Sequence, residues 1–163
     1  MRKRTTFGGL ILAAIVCLAA GVLYAGTDVK DEIELNDPNY ETHEKGIVVF
    51  THKKHMDDYA KLVPELYENG CGECHHDDQG KPLVLKLGDD VQRCIECHKI
   101  PGEMPSPKDK KKKKKKVSKA EKLEYHAEAL HYNCRDCHRA YKKKTKSKNA
   151  PTTCTKCHPK VAK

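Results

Sequence analysis

Four times the chain repeats one short pattern, C-x-x-C-H: Cys71-Gly-Glu-Cys74-His75, Cys94-Ile-Glu-Cys97-His98, Cys134-Arg-Asp-Cys137-His138 and Cys154-Thr-Lys-Cys157-His158. No other feature limits the possible folds as much. Two thiols at this spacing reach the two vinyl groups of one porphyrin and form thioethers, and the next residue then carries its imidazole over the iron as the proximal ligand. Structural zinc also takes paired C-x-x-C, but it does not require a His directly after each second Cys. A disulfide framework leaves those His unexplained too. The four units use every Cys except Cys17. Four covalently bound haem c groups are therefore expected, on Cys71, Cys74, Cys94, Cys97, Cys134, Cys137, Cys154 and Cys157, with His75, His98, His138 and His158 on the irons.

Composition points the same way. Only 37% of the 163 residues are hydrophobic and 6% are aromatic, with no Trp, while 34% are charged. So polar a chain cannot bury enough side chain to offset the entropy of folding. The organising material is expected to come from what the Cys and His hold, and a large enzyme with a side-chain core is not expected.

Met1-Arg2-Lys3-Arg4 is a positively charged start, and residues 7–25 form an apolar, uncharged run that ends in small residues. Residues 1–25 read as an export signal; the alternative is an uncleaved anchor, since the run can just span a bilayer. Residues 26–44 form an acidic N-terminal segment, and residues 45–163 form the haem domain. Charge is divided along the chain: residues 26–107 carry 9 Lys/Arg against 18 Asp/Glu, and residues 108–163 carry 20 against 5. The run Lys110–Lys116 sits in a Lys-rich surface loop at 108–117, because like charges repel. Nucleic acid is not an expected partner: the chain is exported and no aromatics interleave with the lysines.

Six His remain beyond the proximal four: His43, His52, His55, His76, His126 and His131. Closing the second face of four irons needs four of them. His52 and His55 lie on neighbouring positions of a helix face, and His76 directly follows His75. His131 precedes Cys134 within one helical segment, with His126 its rival as a ligand. His43 and His126 otherwise read as imidazoles facing solvent or a propionate.

The ordered set F-x-H-x-x-H, C-x-x-C-H-H, C-x-x-C-H, H-x-x-C-x-x-C-H and C-x-x-C-H, over about residues 45–160, resembles the class III cytochromes c, the tetrahaem cytochrome c3 family. The resemblance implies a compact cytochrome c3-like fold, mostly irregular and α with a small two-stranded β element, built around four c-type haems. It implies bis-histidine iron: His52 with His75, His76 with His98, His55 with His138, and His131 with His158. All four Cys pairs here have a two-residue gap, and this with the lysine run is similar to the membrane-system, type II-like branch.

Residues 46–50 and 81–87 read as the two short strands. A helix is expected from Ser118, with Glu121 completing a capping box and Leu123, Ala127, Leu130, Cys134, His138 and Tyr141 on one stripe.

The expected function is a periplasmic, low-potential electron carrier of anaerobic respiration (sulfate or metal reduction), not an enzyme. Expected partners are redox proteins, such as a hydrogenase or a membrane-bound redox complex, with peripheral contact to the membrane. The competing readings are a multihaem reductase with an open iron, and a haem subunit anchored in the inner membrane.

Overall fold

The computed structural model describes residues 29–105 and 117–160. The apolar N-terminal run with Cys17, and Lys110–Lys116, lie outside the described residues.

Two very short strands, β1 (Ile33–Glu34) and β2 (Val49–Phe50), pair antiparallel with Ile33 opposite Phe50. The Leu35 amide extends the ladder by donating to the Val48 carbonyl at 2.9 Å. Part of the 46–50 expectation thus forms a strand, but its partner differs from the one expected. Residues 81–87 form no strand; only an isolated bridge joins Pro82 to His76. The apolar alternation there leaves Val84 and Leu87 exposed. The partner comes instead from the acidic segment, which is therefore part of the fold.

After β2 the chain enters α1 (His52–Lys54), continues through a π-helical turn over His55–Tyr59, and finishes in α2 (Ala60–Leu62). Pro64 stops the helix, because a residue before proline is disfavoured in the α region, and Val63 leaves that region at φ −141°, ψ 66°. A 3-10 turn over Gly70–Glu73 and the single-turn helix α3 (Cys94–Cys97) follow.

The expected long helix is segmented. Ser118 caps α4 (Lys119–Leu123): its hydroxyl accepts from the Glu121 amide at 3.1 Å, and the Glu121 carboxylate accepts from the Ser118 amide at 2.7 Å. The helix then breaks at Tyr125, which is extended and bridges in parallel to Ile100. It resumes as α5 (His126–Leu130), passes through a second π-helical turn over His131–Arg135, and runs on as α6 (Asp136–Thr145). Tertiary pairing with the backbone at Ile100, through this isolated bridge, overrides local helix propensity at the break. The last element is α7 (Cys154–Cys157).

Almost nothing apolar is enclosed. Among the described residues Val63, Ile95 and Ala129 are the buried hydrophobics, His126 is the buried polar residue, and no large side chain is completely covered. A domain of this length ordinarily has a continuous side-chain core.

Candidate functional site

Each attachment motif sits on a tight turn, and the turn carries out the positioning. The amide of His75 donates to the Cys71 carbonyl at 3.0 Å, that of His98 to Cys94 at 2.9 Å, and that of His158 to Cys154 at 2.7 Å. One helical turn thus brings each imidazole back over its first Cys. In the first motif Gly72 lies against Pro82 and Leu83; a Cβ there would come within 2.6 Å of the Leu83 carbonyl oxygen. The third motif is carried from the π-helical turn into α6, so Cys134 and His138 share one helical run.

The eight candidate ligands stand in four pairs. Ring centres are 6.4 Å apart for His52 and His75, 6.0 Å for His76 and His98, 6.1 Å for His55 and His138, and 6.4 Å for His131 and His158. In each case these are the two rings that the resemblance assigns to one iron. An imidazole bound through one nitrogen at about 2 Å puts its ring centre about 3 Å from a metal, so two rings on opposite sides of one iron stand about 6 Å apart. The residues present therefore fit a metal held between two imidazoles. Both π-helical turns begin at a distal His of such a pair, His55 and His131. The extra residue in a π turn re-aims the side chain at its start.

The outer ring nitrogens face hydrogen-bond acceptors. Nδ1–H of His55 donates to the Thr51 carbonyl (2.8 Å), His76 to Asp77 (2.7 Å), His138 to Pro151 (2.7 Å), His158 to Gly46 (2.9 Å), and His98 to Leu123. Each such bond fixes the tautomer that leaves Nε2 with a lone pair for metal. Burial lowers the pKa of His55 and His75, as neutral ligands require. The Nδ1 of His52 is enclosed without a partner.

None of the eight described Cys is paired in a disulfide. Among the described residues no three His, Cys, Asp or Glu side chains converge on a common metal position. A tetrahedral zinc cluster is not what these turns build.

The sequence model of the class III cytochrome c family matches residues 29–158. The chain belongs to that family. Its members carry covalently bound haem c and transfer electrons, so the cytochrome described here is a multihaem electron-transfer protein. Class III cytochromes are typically periplasmic. No helix among the described residues is long and apolar enough to cross a membrane. No curated protein and no solved structure matches the chain.

Two His of this cytochrome stand outside the four pairs. His43 is exposed, stacks on Tyr40 with ring centres 5.5 Å apart, and shares a 2.9 Å hydrogen bond with Asn36 Oδ1. His126 is buried rather than solvent-facing, and its Nδ1 hydrogen-bonds the Tyr40 hydroxyl at 3.0 Å. The arrangement also uses residues that sequence reasoning does not identify: the carbonyls of Thr51, Asp77, Leu123, Pro151 and Gly46. A main-chain carbonyl leaves no mark on residue type, so no sequence signal exists for it. Gly46 is the exception, being pressed so closely against Pro159 that a Cβ has no room.

Proposed function

We propose that this cytochrome is a periplasmic, low-potential carrier that passes electrons through four bis-histidine haems in anaerobic respiration, with sulfate or metal as the ultimate oxidant. The observation that carries the reading is the set of four imidazole pairs with ring centres 6.0–6.4 Å apart. Cys71 and Cys74, Cys94 and Cys97, Cys134 and Cys137, and Cys154 and Cys157 would each hold one macrocycle by thioethers. Each haem, when bound, supplies one-electron iron chemistry.

The chain's own residues do the rest. Two imidazoles per centre leave no free coordination position, so no substrate is bound or turned over there. The carbonyls at Nδ1 keep the rings neutral and oriented. His75 and His76 are adjacent in the chain and His52 and His55 lie one turn apart, which would hold their centres close and favour electron movement between them. Redox proteins, a hydrogenase or a membrane-bound complex, would dock through charge.

Carbon monoxide binding and low-temperature EPR of the holoprotein test the reading. The expected result is no carbon monoxide adduct in the reduced protein and only low-spin ferric signals. A substantial high-spin fraction with carbon monoxide binding would favour a reductase with an open iron. N-terminal sequencing of protein from its native membrane and soluble fractions separates a cleaved signal from an anchor.

A further inference from the structure

His131 is supported differently from the rings that donate to the main chain. Its Nδ1 faces the carboxylate of Glu103, with Oε1 3.8 Å away. That is too long for a hydrogen bond but close for a fixed charge. Glu103 accepts a hydrogen bond from Lys45 Nζ at 2.7 Å. Lys45 immediately precedes Gly46, whose carbonyl accepts from Nδ1 of His158 at 2.9 Å. One ion pair therefore closes a clasp across the fourth pair: Gly46 holds one ring, Glu103 faces the other, and Lys45 joins the two supports. The ammonium of Lys45, 2.7 Å away, keeps the Glu103 carboxylate in an ion pair, and a glutamate is charged at neutral pH.

Resting on the bis-histidine reading above, we infer that Glu103 is a positioning residue that lowers the reduction potential of the fourth haem, with Lys45 moderating its effect. A negative charge beside Nδ1 favours build-up of positive charge on the ring, which makes His131 a stronger donor to iron. The ferric state carries one more positive charge than the ferrous state, so it gains more from the same carboxylate. Lys45 opposes this with a charge of the other sign. As an ion pair, Lys45 and Glu103 are part-exposed, at 39% and 47%, and add little to folding stability. Their effect belongs on the redox equilibrium.

The test is a potentiometric titration of the holoprotein, with each haem followed by NMR of its methyl groups. The fourth haem is identified as the one that becomes high-spin in His131→Ala. Glu103→Gln should raise the potential of that haem alone by about threefold in its one-electron equilibrium constant, or about 28 mV. Lys45→Gln should lower it, and Glu103→Asp, which keeps the charge, should stay near the wild type. An unchanged fourth potential in Glu103→Gln overturns the inference. So does a shift of the same sign in Glu103→Gln and Lys45→Gln, because a clasp that is merely loosened acts alike in both. If His131→Ala yields no high-spin haem, the ligand reading itself fails; if it does and Glu103→Gln has no effect, only this inference fails.

Discussion

His126 and His131 share one helical run and have different surroundings. His131 stands 6.4 Å from His158, whereas His126 is buried against Tyr40. His131→Ala should therefore give a high-spin signal from one haem, and His126→Gln should give none, by EPR of the oxidised holoprotein. Burial lowers the pKa of His126 below its ordinary 6.5, with Asp37 opposing and the charges of His98 and Arg93 assisting. The sign follows directly. Above about pH 6.5 the ring is neutral in both states; below it the unfolded chain takes up a proton first, and stability falls until the folded value is passed. His126→Gln should flatten that acid-side decline in denaturant titrations at pH 7.5 and 5.5. It should also cost about 0.5–1.5 kcal/mol at the higher pH through the altered bond to Tyr40. An equally steep decline in the variant would assign the acid sensitivity to other groups.

At the scale of elements, α4 links a surface cap to a candidate ligand. Ser118 caps its first turn, and the carbonyl of its last residue, Leu123, accepts from Nδ1 of His98. Ser118→Ala should destabilise the protein by about 1 kcal/mol, read from the denaturant midpoint, while the irons stay low-spin. The cap was legible in the sequence because Ser118 and Glu121 carry their own chemistry. So were the four attachment turns, whose residue types admit few other uses. The break at Tyr125 was not legible, since neither Pro nor Gly marks it and a distant segment at Ile100 imposes it. Strand β1 was hidden for a related reason: two residues are too few for any periodicity. Residues 81–87 misled because their alternation is real while no neighbouring strand is there to use it. The ring pairs are what the family resemblance implies, but their carbonyl supports leave no sequence signal, because those are main-chain atoms.

For the whole molecule, the near-absence of a side-chain core predicts that the chain folds only with its prosthetic groups. Intact mass after acid–acetone extraction should exceed the processed polypeptide by four haems, and three would remove one site. Apoprotein should have the circular dichroism of a largely unfolded chain. Charge also acts at this scale. Replacing Lys110, Lys112, Lys114 and Lys116 with Gln should slow reduction by an acidic physiological donor and flatten its salt dependence. An unchanged salt slope would move docking elsewhere. The pairing of His55 with His138 has a kinetic consequence. The other three pairs each close a short stretch of chain, whereas this one brackets the whole first and second attachment regions. Its longer loop costs about 1 kcal/mol more closure entropy than any of the others. If, as proposed, each C-x-x-C-H unit already holds a macrocycle when the chain collapses from denaturant, His52 with His75 and His76 with His98 should pair early. His55 then has to find a partner across a partly assembled molecule, with neighbouring His52 as a competitor for the same iron. Refolding should therefore show a late phase in which one centre exchanges a wrong axial histidine for the right one, and replacing His52 should shorten that phase.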